Sequence, residues 1–111
     1  MNNVFLILSS ADSVVHRELS FPYSFNSKTK GWMDQVRVIL WGPTEKIILK
    51  DLEFQEEIRI LMDEGIEVYA CKSCSDHFGV SKQLEEIGID VRYVGSFVSD
   101  MLKEGWYQLT F

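Results

Sequence analysis

Three times the chain repeats one local pattern: Asp63-Glu64-Gly65-Ile66, Glu86-Ile87-Gly88-Ile89 and Lys103-Glu104-Gly105-Trp106. Lys28-Thr29-Lys30-Gly31-Trp32 is a fourth, similar instance. In each, a helical pattern ends in glycine and an apolar residue follows. Glycine enters the left-handed conformation that closes a helix at little steric cost. A chain that alternates helix, glycine and strand in this way predicts an α/β layered domain.

The strands follow from the same punctuation. Val4 to Leu8 is continuously apolar, which suits a central strand covered on both faces. Val36 to Trp41 and Ile66 to Cys71 are apolar with one charge each. Ile89 to Val94 and Trp106 to Phe111 alternate apolar and polar, the pattern of strands nearer an edge. Five strands result, the last of which has the alternative of lying on a partner subunit.

Between the first two strands, Val15, Leu19, Pro22 and Phe25 or Asn26 fall on one helical face, with Val14 and Phe21 beside it. The spacing predicts one helix from Asp12 to about Lys30, bent at Pro22, where the ring removes a donor and crowds the preceding turn. Two shorter segments around a loop are the alternative. A further helix starts near Pro43 as its first residue. Another runs from Asp51 to Glu64 and buries Phe54, Ile58, Leu61 and Met62, leaving Ile60 exposed. At 111 residues, with no repeat, linker or low-complexity stretch, residues 1–111 form a single domain.

Charge excludes one class of function. Seventeen acidic residues against eleven basic ones give a net charge of −6, the wrong sign for a surface that tracks phosphates, so no nucleic-acid partner is expected. No apolar run approaches the ~20 residues that span a bilayer, so no membrane partner is expected either. Met1-Asn2-Asn3-Val4 lacks the basic start of a signal peptide, and a cytoplasmic location follows as the expectation.

The two cysteines sit in one motif, Cys71-Lys72-Ser73-Cys74, where the third strand gives way to a helix. In a reducing compartment, paired cysteines read as catalytic, redox-active or metal-binding. Residues i and i+3 on a helix have Cβ atoms ~5–6 Å apart. A disulfide needs ~3.5–4.5 Å, so a small adjustment would bridge the pair. A helix start favours thiolate over thiol, and Lys72 adds a cation, while Asp76 opposes it. The competing reading is that both thiols are packing residues.

No resident metal or other cofactor is expected. His77 is rotated by about 240° from Cys71 on an ideal helix, so Cys71, Cys74 and His77 do not converge. No second Cys/His pair completes a four-ligand set. His16, on a helix flank, and His77 are expected at the surface. The remaining candidates are Ser9 and Ser10 after the first strand, Gly42 after the second and Gly95 after the fourth. They reach the carboxyl-end crevice where open α/β sheets hold ligands. Neither GxGxxG nor GxxxxGK[ST] occurs among them.

Four segments together resemble the DsrE-like (DsrE/DsrF-like) family: Val36 to Pro43, Val68 to Gly79, Leu84 to Val91 and Leu102 to Trp106. The resemblance spans nearly the whole chain, and its most specific part is the cysteine ending the third strand. It implies a three-layer α/β/α sandwich on a mostly parallel five-stranded sheet, assembled as a homo-oligomer, a trimer or hexamer. It also implies a cytoplasmic protein that carries sulfur as a persulfide on Cys71 and hands it from a donor to an acceptor protein. Cys74 would assist, and the chain would act as a carrier more than as an enzyme with its own turnover. Two other readings stay open: a small-molecule or nucleotide-binding module using Ser9, Ser10, Gly42 and Gly95, and a structural subunit.

Overall fold

The computed structural model describes residues 1–111. Five strands form one sheet: β1 (Asn3–Leu8), β2 (Gln35–Leu40), β3 (Glu67–Cys71), β4 (Asp90–Arg92) and β5 (Tyr107–Thr110). Their order is β4-β3-β2-β1-β5, and every pairing is parallel. The two alternating strands lie at the two edges. β5 pairs with β1 of its own chain, Val4 opposite Tyr107, which settles its placement within the subunit's own sheet.

Strand alternation sends side chains to two cores. One face gathers Val4, Leu6, Leu8, Val36, Val38, Leu40, Val68 and Ala70 against helices that include α2 (Phe21–Thr29), α4 (Leu52–Asp63) and α6 (Ser81–Ile87). The other gathers Phe5, Ile39, Tyr69 and Cys71 against Val98 and Met101 of α7 (Gly95–Lys103) and against Trp106. The result is the three-layer α/β/α sandwich. Its second layer is thin, and Arg37 helps close it, with its guanidinium 4.6 Å from the Trp106 ring centre and bonded to Glu67 at 3.0 Å. No helix is long and apolar enough to cross a membrane.

The first crossover is helical from Ser13 to Thr29, as α1 (Ser13–Val15), a π turn (His16–Ser20) and α2. The irregularity sits one turn before Pro22, where the Phe21 amide donates to the His16 carbonyl five residues back. A widened turn accommodates a residue that has no N–H and would otherwise crowd the carbonyl behind it.

The buried face of this stretch differs from the apolar stripe in the sequence. Leu19 and Val14 are half exposed and Pro22 is exposed, whereas His16, Ser20, Phe21, Ser24 and Ser27 are buried. Small serines let the helix lie close to the sheet, and Ser24 Oγ satisfies itself on the Ser20 carbonyl at 2.6 Å. An apolar stripe cannot reveal a helix that buries serines.

Two further boundaries shift by small amounts. Pro43 is the residue before α3 (Thr44–Ile47), not its first member. Asp51 caps α4 by accepting the Phe54 amide at 3.1 Å, and Ile60 is exposed as expected.

The helix that carries the second cysteine, α5 (Lys72–Phe78), ends at Gly79 with φ +71°. A Cβ there would meet nothing within 4 Å, so Gly79→Ala isolates the backbone cost. The variant is expected to lose about 1 kcal/mol, read as a lower urea midpoint at unchanged slope.

Candidate functional site

Cys71 closes β3 and caps α5. Its Sγ accepts the Cys74 amide N–H at 3.4 Å, a contact that a sulfur anion accepts more strongly than a thiol does. Cys71 is only 5% exposed, and Cys74 is half-buried; both are free thiols. The more accessible sulfur is therefore Cys74.

The structure adds a residue that the sequence did not single out. Glu45, in the first turn of α3, is fully buried with both carboxylate oxygens unpartnered. One oxygen of Glu45, Cys71 Sγ and Cys74 Sγ all lie within 4.8 Å of one another. Parallel pairing explains the meeting. Leu40 stands opposite Ala70, so the chain leaving β2 and the chain leaving β3 emerge side by side. The signal available in the sequence was a carboxylate one turn past Gly42-Pro43, at the end of an apolar strand.

Burial sets the protonation of this cluster. It pushes the Glu45 carboxyl up to about 8, with the backbone at Cys71 and Gly42 offsetting it only in part. Burial first, then the side-chain contact with Cys71, pushes the Cys74 thiol up to about 11. At neutral pH both groups hold their protons.

His16, expected at the surface, is fully buried one layer away. Its Nε2 lies 2.8 Å from the Ser10 carbonyl, which can only accept, so Nε2 carries the hydrogen. That leaves Nδ1 to accept from Ser20 Oγ at 2.8 Å. Thr44 Oγ1 donates to the same Ser10 carbonyl at 2.7 Å. The Ser10 carbonyl thus ties the first crossover and the start of α3 to the end of β1, and so fixes Glu45 under the end of β3. A histidine on an apolar helix face gives no sequence sign of which carbonyl it will find.

Of the residues singled out in the sequence, Gly42, Cys71 and Cys74 come together. Ser9 and Ser10 donate their amides to the Phe111 carbonyl at 2.6 and 3.2 Å. The Lys72 ammonium is engaged by Asp76 at 3.0 Å. Gly95 opens α7, and its carbonyl accepts Ser99 Oγ at 2.9 Å. His77 is exposed against Phe78 and outside the cluster. Three surface depressions, of about 240, 270 and 290 Å³, are lined by other residues.

With a cysteine closing the third of five parallel strands, the comparison with known proteins is decisive. A profile of the DsrE/DsrF-like family matches residues 3–111. The chain belongs to that family. No curated protein matches it. Among solved structures, this DsrE/DsrF-like chain is similar to a conserved protein of unknown function from Bacteroides thetaiotaomicron, at 32% identity and TM-score 0.91 over 98% of this chain and 95% of that one. It shares its fold with the ychN protein from E. coli, at 17% identity and TM-score 0.77, and with a protein of unknown function from Methanobacterium thermoautotrophicum, at 18% and 0.83. Both of these alignments cover all of each chain.

Proposed function

We propose that this DsrE/DsrF-like protein relays sulfur, with Cys71 as carrier and Cys74 assisting. The observation that carries the reading is Cys71 Sγ at the end of β3, holding an amide donor and a second thiol three residues on. In loading, the Cys71 thiolate attacks the outer sulfur of a donor persulfide. A new S–S bond forms at Cys71, the donor's S–S bond breaks, and the donor departs as a thiolate. An acceptor thiolate then repeats the exchange on the Cys71 persulfide. No external oxidant is needed.

The raised Cys74 thiol has a defined part in this scheme. Attack by Cys74 on the sulfur of Cys71 that bears the persulfide would expel hydrosulfide and leave a Cys71–Cys74 disulfide, to be reduced by an external dithiol. Exchange proceeds through the thiolate, and a thiol held at about 11 supplies little of it at neutral pH. The pair therefore favours carriage over release. We further infer a cytoplasmic protein that meets sulfur donor and acceptor proteins and assembles as a trimer or hexamer. The half-exposed Val14 and Leu19 supply apolar surface for such assembly.

Treating the reduced chain with a small-molecule persulfide and weighing it intact is the test. Wild type and Cys74→Ser should gain the mass of one sulfur, and Cys71→Ser should not. Equal loading of Cys71→Ser would overturn the assignment. Sulfide release from the loaded wild type should rise as pH is raised toward 11 and be lost in Cys74→Ser.

A further inference from the structure

We propose that Glu45, Cys71 and Cys74 form a binding site for one thiophilic divalent cation of the zinc class, held by two sulfurs and one carboxylate with the fourth position open.

Geometry is the first support. An ion at the centre of three atoms no more than 4.8 Å apart stands within about 2.8 Å of each. Zinc bonds to sulfur at about 2.3 Å and to carboxylate oxygen at about 2.0–2.2 Å, so side-chain adjustments of at most about 0.5–0.8 Å close the shell. The second support is independent. Both Glu45 oxygens are buried without a hydrogen-bond partner, an arrangement that costs free energy in an empty protein. The spacing of the carboxylate from the two sulfurs suits an ion placed between.

The donor set selects the ion. Two thiolates reject magnesium and calcium and favour zinc or another soft cation. Three protein ligands with one open position match the pattern of zinc sites that take up an exogenous ligand rather than that of closed structural sites. Half-buried Cys74 provides the way in. Binding would displace the protons of the three ligands, so charge neutralisation by the ion replaces neutralisation by protonation. The site stands on this geometry alone. Its link to sulfur relay is that an ion and a persulfide would compete for Cys71 Sγ.

Titrating the reduced, full chain with cobalt(II) and then zinc tests the proposal. Expected are one ion per chain, a sulfur-to-cobalt charge-transfer band, and its loss on zinc addition. Glu45→Gln, which keeps the side chain's size, should weaken zinc binding at least about tenfold, and Cys74→Ser should diminish the band. The proposal fails if stoichiometric cobalt gives no charge-transfer band. It also fails if Glu45→Gln binds zinc as tightly as wild type, because the metal would then be held by a bare dithiol. Should circular dichroism show Glu45→Gln unfolded, Glu45→Asp replaces it, with the same weakening expected. Absent zinc binding with intact sulfur loading would sink the metal site and leave the relay standing; intact zinc binding without loading would do the reverse.

Discussion

Metal-free protein is expected to lose stability as pH rises from about 6.5 to about 8, and Glu45→Gln is expected to remove most of that loss. The Glu45 carboxyl is held up to about 8 in the fold but ionises near 4.5 in the unfolded chain. Through that window the folded state keeps a proton that the unfolded state has released. Raising pH therefore favours unfolding, by up to about 1.4 kcal/mol per pH unit.

His16 acts in the opposite sense. Burial first lowers it below its ordinary 6.5, against the Ser10 bond that raises it, so the unfolded chain protonates before the folded one does. Its contribution is complete above 6.5 and is lost as pH falls. Below 6.5 the His16 slope opposes that of Glu45, so the pH dependence should be weaker there than above 6.5. Above 6.5 the Glu45 slope stands unopposed by His16. Urea midpoints from pH 5 to 8, taken with a chelator present, give the profile. In Glu45→Gln stability should fall more steeply toward acid below 6.5 than in wild type, because the His16 contribution is no longer offset. A Glu45→Gln profile parallel to wild type would show that the carboxyl does not titrate as described.

Phe54→Ala is expected to cost about 3–5 kcal/mol, enough to endanger a domain whose total stability is of order 5–15 kcal/mol. Phe54 is 3% exposed and packs edge-on against Phe21 at 4.8 Å and against His16 at 5.5 Å between ring centres. Removing the ring leaves a cavity and forfeits two aromatic contacts at the point where α4 holds the first crossover against the sheet. The loss should appear as a reduced denaturant midpoint. Because His16 loses a wall of its site, His16 should also titrate closer to 6.5 in any variant that still folds, as histidine proton resonances would show.

Much of this architecture is legible in the sequence because its signals are local. The glycines after helical patterns, the unbroken apolar run Val4 to Leu8 and the alternation in the outer strands each report on neighbours along the chain. Together they give the α/β layering, five strands and the two edges. The cysteine pair is legible for the same reason, since its spacing and its place at a strand end are sequence facts.

Glu45 was hidden because its role depends on which strands are neighbours. Nothing in Gly42-Pro43-Thr44-Glu45 says that the third strand ends beside it. His16 and the serines at 20, 24 and 27 were hidden by a different cause. Polar residues that are buried, whether bonded to nearby groups as His16, Ser20 and Ser24 are or left unpartnered as Ser27 Oγ is, look in sequence like a solvated face. The π turn before Pro22 then rotates the face that an ideal 3.6-residue period would select. The partner of the Ser9 and Ser10 amides was hidden for the same reason as Glu45, since the carbonyl of Phe111 lies about a hundred positions away.

The pairing of β5 with β1 has a mechanical consequence. These strands are adjacent and parallel, so the start of β1 and the end of β5 lie at opposite ends of one ladder. Tension applied between those two points loads the ladder in shear, so its rungs, including Phe111 to Ile7 at 2.8 Å and Ser9 to Phe111 at 2.6 Å, resist together. Tugging at the β4 edge would instead meet a strand of only three residues. A domain strung between two attachments in this way should be stiffer toward stretching than its modest size suggests, with rupture governed by the rate at which that ladder slides.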